Sequence, residues 1–561
     1  MKKLVEIELR FHVPAGARAA IVAEMARRAA SLEHRKLSAI YLDTPDRRLA
    51  RASIAWRLRR EGRRWIQTLK SGAAGALERF EHEVIRPGPI HDAGAHAGTS
   101  VGDRLIALLG EAHDAGQDVD VRFLTDIRRT ARRVRTRGAV VEIVFDEGRL
   151  LAGEASQRVR EMEFELVSGS AVAMLALAER WRKRFGLIFE PRSKAERGDL
   201  LAQGSSFPVV RKAARPDYPR DAGAVDALGS VVDECLAHIT YNAIGIAQGD
   251  LALRIEHVHQ LRVGIRRLRS ALRTYAGWAP QPPETLVAGL QELFTTLGAS
   301  RDSSVLESGV MQELSKVGAP ALAMSASAGG PDPVVALRSN DAQRLLLAWI
   351  TWRRSLLDTD STTSPDASLS AASRSDLGAT TGPDAPPGVE TLAVPGALAP
   401  IEGERAASLV PQEIDGQPSA PDAEHSAFAD PRVFHRAAQR RLYRWHRKIA
   451  ADSKAFDDLD ETALHALRKR IKRQRYAVEF FAPILKRRTI DRYLKPLAGI
   501  QERMGELNDL FVARARFQEL VATDPAAWFA LGWLAARILD VRALAKPELA
   551  RLARAAPPSA G

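Results

Sequence analysis

The first stretch of the chain alternates. Leu4, Glu6, Glu8 and Arg10 fall on one face and Val5, Ile7, Leu9 and Phe11 on the other, a period of two that predicts a strand. One such strand alone would read as charges in solvent over an apolar core, but the pattern recurs. Arg57 and Arg59 share a face in the segment from Ile54, as do Thr68 and Lys70, Glu81 and Glu83, and Glu142, Val144 and Asp146. In REMEFELV, Glu161, Glu163 and Glu165 oppose Met162, Phe164 and Leu166. Several strands that each carry one charged face of mixed sign are satisfied by an antiparallel barrel with a polar lumen, its outer face covered by helices predicted over 19–30 and 171–185.

Beyond about residue 222 the period becomes helical. In HQLRVGIRRLRSALRTY, His259, Arg262, Arg266, Arg269 and Arg273 recur at alternating spacings of three and four, one basic stripe on one helix, while Leu261, Ile265, Leu268 and Leu272 fill the opposite face. The stripe returns in HALRKRIKRQRYAVEFF as His465, Arg468, Lys472 and Arg475. Asp302 in LGASRDSSVL follows the first stripe at nearly the distance at which Asp509 in MGELNDL follows the second, which indicates an internal duplication. Stacked like charges repel, so such a stripe makes sense chiefly beneath a polyanion.

Length and charge narrow the partners. The 561 residues allow several folded units, and a formal charge of +13 asks for an anionic partner: nucleic acid, an anionic membrane surface or polyphosphate. Nucleic acid is disfavoured because the stripes lack interleaved aromatics, Tyr275 and Tyr476 being the close candidates. The lone Cys235 excludes an internal disulfide framework and a cysteine-based zinc site, and fits a reducing cytosol. Glu6, Glu8 and Arg10 interrupt any amino-terminal apolar run and no long apolar segment occurs elsewhere, so no membrane span and a cytoplasmic location are expected.

Two interruptions divide the chain. A proline-bearing, aperiodic stretch between 203 and 221 reads as a linker. From about 355 to 428, Ser, Thr, Pro, Ala, Gly and Asp dominate, and Arg374 and Arg405 are the only Lys or Arg against twelve carboxylates. Such a segment buries too little apolar surface to offset its chain entropy and is expected to be a disordered acidic insert. The units are then 1–202, a helical half at 222–354 and a second at 429–552.

The barrel's charges suggest chemistry. Carboxylates at i and i+2 can share a divalent cation, and Arg or Lys facing them can hold phosphate oxygens, the equipment of phosphoryl transfer. EIELRF, YLDTPDRRLARASIAWRLRREGRRWIQTLK, FDEG, EMEFEL and SKAERG, in this order within 1–202, resemble the CYTH domain, the triphosphate tunnel metalloenzymes. The resemblance implies an eight-stranded antiparallel tunnel that binds a triphosphate with Mg²⁺ or Mn²⁺, in a group that includes inorganic triphosphatases, thiamine triphosphatases and adenylyl cyclases. Carried over, it places metal on Glu6, Glu8, Glu161, Glu163 and Glu165 and phosphate on Arg57, Arg59, Lys70, Arg129 and Lys194, with Glu6, Glu8 and Arg10 at the chemistry. The family's opening motif ends in lysine where this chain has Arg10, a planar fork in place of a compact ammonium.

VHQLRVGIRRLRSAL, LGASRDSSVL, LHALRKRIKRQRYAVEFFAPIL and MGELNDL resemble the CHAD domain. That resemblance implies two pseudo-symmetric four-helix bundles whose basic surface binds inorganic polyphosphate through the two stripes. The expectation is an α+β multidomain protein: a Mg²⁺-dependent inorganic triphosphatase tunnel joined to an all-α polyphosphate-binding module, cytoplasmic and associated with polyphosphate granules.

Overall fold

The computed structural model describes residues 5–27, 32–72, 77–298, 309–320, 331–360 and 427–559. The period-two segments become strands: β1 (Val5–His12), β2 (Glu33–Asp43), β3 (Ile54–Glu61), β4 (Arg64–Gly72), β5 (Glu78–Arg86), β6 (Asp120–Thr136), β7 (Ala139–Ala152) and β8 (Ala155–Gly169). They run antiparallel in the order β5-β4-β3-β2-β6-β7-β8-β1, and β1 also pairs with β5, so the sheet closes into an eight-stranded barrel. A two-residue ninth strand, β9 (Ile188–Phe189), adds to β1.

Register explains why the charges converge. Glu8 lies opposite Glu165, Arg10 opposite Glu163 and Glu6 opposite Arg79, and because side chains alternate, the residues between these positions face outward. Leu9, Phe11, Met162 and Phe164 form that outer face, fully buried under α4 (Ala171–Phe185). Phe164 meets Phe11 and Trp181 edge-to-face at centroid distances of 5.8 and 6.1 Å. The earlier barrel helices are α1 (Arg18–Ala26), α2 (Arg48–Arg51) and α3 (Ser100–Asp114). The expected helix over 19–30 thus ends at Ala26, and residues 28–31 lie outside the described ones.

The SKAERG segment becomes α5 (Lys194–Ala202), opened by a capping box in which Ser193 and Glu196 satisfy each other's backbone N–H. Its glycine is required by contact. A Cβ at Gly198 would stand 2.1 Å from the Phe123 ring of β6, so only glycine lets α5 close on the barrel.

The first helical half comprises α6 (Ala224–Gln248), α7 (Arg254–Tyr275), α8 (Glu284–Thr296), α9 (Met311–Lys316), α10 (Pro333–Arg338) and α11 (Asn340–Asp360). Helices α6, α7, α8 and α11 pack in a ring, each touching the next. The second half, α12 (Pro431–Lys454), α13 (Glu461–Phe480), α14 (Arg487–Leu520) and α15 (Ala527–Arg554), closes the same way, as a duplicated four-helix bundle should. The low-complexity insert was expected from about 355, but α11 carries on to Asp360, with Leu356 still buried one turn beyond Trp352. Residues 361–426 lie outside the described ones, as does Asp302. Among the described residues no helix is long and apolar enough to cross a membrane.

Barrel and bundles share one apolar core. Polar contacts cross the junction as well: the Phe189 N–H donates to Gln343 of α11 at 2.8 Å, and Arg182 of α4 donates to Asn340 at 2.9 Å.

Candidate functional site

The barrel interior continues into a cavity of about 950 Å³. Glu6, Glu8 and Arg10 from β1, Arg57 and Arg59 from β3, Lys70 from β4, Arg129 from β6, Glu163 and Glu165 from β8, and Lys194 from α5 all line it. Of the residues expected in the tunnel, Glu161 alone is absent from the cavity wall and fully buried behind it.

The expected metal carboxylates separate into two groups. Glu6, Glu8 and Glu165 bring one oxygen each within 4.8 Å of one another, and so do Asp146, Glu161 and Glu163. The second group is already neutralised by cations. Lys194 Nζ lies 2.7 Å from Asp146 and 2.9 Å from Glu163 and also pairs with Glu161, which Arg197 holds from its other side. Arg129 grips Asp146 with two prongs at 2.8 Å each and reaches Glu163 at 2.7 Å. Burial pushes the Glu163 carboxyl up, but Lys194 and Arg129 outweigh it and hold it well below the usual carboxylate range.

The first group is compensated unevenly. Burial, then the neighbouring Glu6, lifts the Glu165 carboxyl well above its ordinary range, and its nearest cation, Arg129, stands 3.9 Å away. Glu6 is raised by burial as well, although Lys70 sits 2.7 Å from it. Glu8 is shared between Arg10 at 2.9 Å and Arg79 at 2.8 Å. Three hard oxygen donors that converge in the cavity, one of them without a close cation, fit a divalent cation such as Mg²⁺ or Mn²⁺.

Burial and like charge act on the bases too. Burial, then the neighbouring Arg57, brings the Arg59 guanidinium down to about 10, although Glu61 and Glu83 lie 2.5 and 3.3 Å from it. Lys70 is shared by Glu6 and by Glu81 at 3.2 Å, and Arg57 approaches Glu81 at 3.7 Å. A cavity lined by carboxylates and by crowded bases at such short range is complementary to a cation and a polyanion bound together.

Reading the sequence left out Asp146 as a metal-group carboxylate and passed over Arg79 and Arg197. Their signals were present. Asp146 shares the inner face of β7 with Glu142 and Val144, Arg79 shares a face of β5 with Glu81 and Glu83, and Arg197 lies three residues beyond Lys194 on one helix.

The basic stripes lie on α7 and α13, which pack against each other. Arg273 and His465 are exposed, while His259, Arg266, Arg269, Arg468, Lys472 and Arg475 are half-buried. Arg262 is buried, its guanidinium 4.4 Å from the Phe294 ring centroid. Arg269 donates to Gln291 at 3.0 Å, Arg475 to Glu479 at 2.9 Å, and His465 Nδ1 stands 3.0 Å from the Asn508 amide oxygen. Burial, then Arg273, lowers the Arg473 guanidinium, so bases of the two helices face one another at this junction. Asp509 lies within α14.

The CYTH domain model matches residues 4–198, and the CHAD domain model matches 230–387 and 389–518. The inorganic triphosphatase of Haemophilus influenzae is 30% identical over 175 residues, 30% of this chain and 47% of that protein. The chain therefore spans about half the length of that curated relative. The CHAD domain of the plant Ricinus communis is 25% identical, with a TM-score of 0.40 over 63% of this chain and 99% of that one. A putative adenylyl cyclase from Hippeastrum with a dominant triphosphatase activity is 18% identical, with a TM-score of 0.26 over 36% of this chain and 98% of that one.

Proposed function

This chain belongs to the CHAD family and carries a CYTH domain ahead of its helical halves, and from that premise we propose that its tunnel hydrolyses inorganic triphosphate with a divalent metal. The observation that carries the reading is the unequal state of the two acidic groups: Asp146, Glu161 and Glu163 are each held by a close cation from Lys194, Arg129 or Arg197, whereas Glu165, beside Glu6 and Glu8, has Arg129 only at 3.9 Å and is raised by burial and by Glu6. The name of the Haemophilus influenzae relative points the same way.

Glu6, Glu8 and Glu165 would hold Mg²⁺ or Mn²⁺, which supplies an electrophile for phosphate oxygens. Arg57, Arg59, Lys70 and Arg129 would bind the remaining oxygens, with Lys194 completing the ring from α5. Each of these cations already faces a carboxylate, so substrate exchanges one anionic partner for another rather than entering a purely cationic pore. Water would attack the terminal phosphorus in line, the bridging P–O bond would break, and pyrophosphate would leave with its charge spread over these groups, the terminal phosphorus going to orthophosphate. Phosphate release from tripolyphosphate with Mg²⁺ tests the reading. Glu6→Gln and Glu165→Gln should abolish it, and undiminished release in both would end the proposal.

The helical halves would bind inorganic polyphosphate along α7 and α13, supported by the matched stripes and by the meeting of Arg273 and Arg473. A second reading, a tunnel that holds triphosphate without turnover, is favoured by Arg10, whose fork is engaged with Glu8 and with the Pro191 carbonyl. The same assay separates the two.

A further inference from the structure

The cavity is not built by the barrel alone. Arg211 and Arg215 from the stretch joining barrel to bundles, and Asp233, Glu234 and Tyr241 from α6, form part of its wall. The Tyr241 hydroxyl donates to Glu196 Oε1 at 2.5 Å, and that carboxylate's other oxygen accepts from the Ser193 N–H at 2.6 Å. The Glu196 N–H in turn donates to Ser193 Oγ at 3.1 Å, so the capping box that opens α5 is tied to a different part of the chain.

Between Ser193 and Glu196 the chain carries Lys194, which neutralises Asp146, Glu161 and Glu163, and one helical turn on from it is Arg197, which holds Glu161. The first turn of α5 therefore carries both cations of the filled acidic group, and its geometry is set at Glu196. Tyr241 is itself braced. The Arg211 guanidinium stacks 5.1 Å from its ring centroid and pairs with Glu234 at 2.8 Å. Next to it, Asn242 donates to the Arg211 carbonyl at 2.8 Å, and its amide oxygen lies 3.0 Å from His257 Nδ1 on α7. Through Asn242 and Arg211 the basic helix is thus linked to the tyrosine, and through Glu196 the tyrosine is linked to the helical turn that carries the tunnel lysine.

We propose that Tyr241 is a positioning residue for the tunnel, the contact through which the helical region fixes Lys194 against the acidic wall where triphosphate binds. The proposal rests on the triphosphatase reading for its substrate. Without the hydroxyl, Glu196 loses the partner that keeps it on the capping box, and Arg10 and Arg79, which already feel its charge, compete for it. The turn that presents Lys194 then loosens, and the loss falls on binding.

The test uses the full chain with tripolyphosphate and Mg²⁺. Tyr241→Phe, which removes one oxygen and keeps the ring, should raise KM about five- to tenfold, the worth of one net hydrogen bond, and leave kcat within about twofold. A structural role alone would lower kcat through loss of folded protein and leave KM where it was. In a Lys194→Ala background the same substitution should add nothing, because it acts through that lysine. An unchanged KM, or an equal loss with and without Lys194, overturns the proposal. If the unaltered chain releases no phosphate, the triphosphatase reading alone fails, and calorimetric affinity for tripolyphosphate in the same four proteins decides the role of Tyr241.

Discussion

Arg10 donates through Nη1 to Glu8, two residues back on the same strand, at 2.9 Å, while its Nη2 donates to the Pro191 carbonyl at 2.8 Å. A fork can span both acceptors and a lysine ammonium cannot reach both from one point. Arginine at this position therefore engages Glu8, a carboxylate that a bound cation would otherwise draw on. Arg10→Lys should tighten Mg²⁺ binding several-fold while costing about 1–3 kcal/mol of stability for the lost contact in the buried wall. A Mg²⁺ titration paired with thermal unfolding checks both, and an unmoved Mg²⁺ midpoint refutes the competition.

The two acidic groups should respond oppositely to neutralisation. Glu161 is fully buried between Lys194 and Arg197, so Glu161→Gln leaves buried cations short of a partner, at a cost of about 3–5 kcal/mol. Glu165→Gln removes a charge that burial and Glu6 already disfavour, so stability should hold or rise while metal-dependent phosphate release disappears. Comparing melting temperature with activity for the two variants decides it, and parallel losses of stability would contradict the division.

Much of the site was legible because a strand has period two. Once Glu6, Glu8 and Arg10 alternate with Ile7, Leu9 and Phe11, the face that enters the lumen is fixed, and the same holds for Arg57, Lys70 and Glu163. Pairing between distant carboxylates was not legible. Glu161 and Glu165 are four residues apart on one strand, yet strand tilt and the arrival of α5 give one a lysine and leave the other without. Arg262 shows the same limit on a helix. Its spacing matches the stripe, but α8 brings Phe294 over it, which no local pattern announces. Tyr241 lay equally out of reach, since its partner Glu196 belongs to another domain.

The helical region should lose stability in acid for an identifiable reason. Burial holds His238 down at about 4, with its Nε2 3.1 Å from the Gln260 side chain. A histidine depressed in the folded state contributes stability that is full above its unfolded value, roughly 6.5, and is lost as pH falls through the folded one. Melting temperature should therefore fall between pH 6.5 and 4, and His238→Gln should shallow that fall. An identical slope in the variant would assign the acid sensitivity to other groups.

Two arginines on α7 should separate binding from architecture. Arg273 is exposed near the meeting of α7 and α13, whereas Arg267 is buried, pairs with Glu479 of α13, donates to the Ala214 carbonyl at 2.9 Å and stacks on Tyr476 and Phe480 at 5.5 and 5.4 Å. Arg267 thus joins the two bundles from inside. Arg267→Met leaves that carbonyl without its donor, while Glu479 keeps Arg475 at 2.9 Å, so the expected cost is about 3 kcal/mol, the lower end for a broken buried pair. Arg273→Ala removes a cation from the surface, so polyphosphate affinity should drop and its dependence on log salt should flatten by about 0.7–0.9 per lost contact, by analogy with nucleic acids. Affinity measured at several salt concentrations, beside unfolding of the same proteins, distinguishes the two roles. Arg267→Met should leave the salt slope intact, because a residue that never meets polyphosphate releases no counterion from it; a flattened slope in that variant, or an unchanged one in Arg273→Ala, would move the polyanion track away from this face of α7.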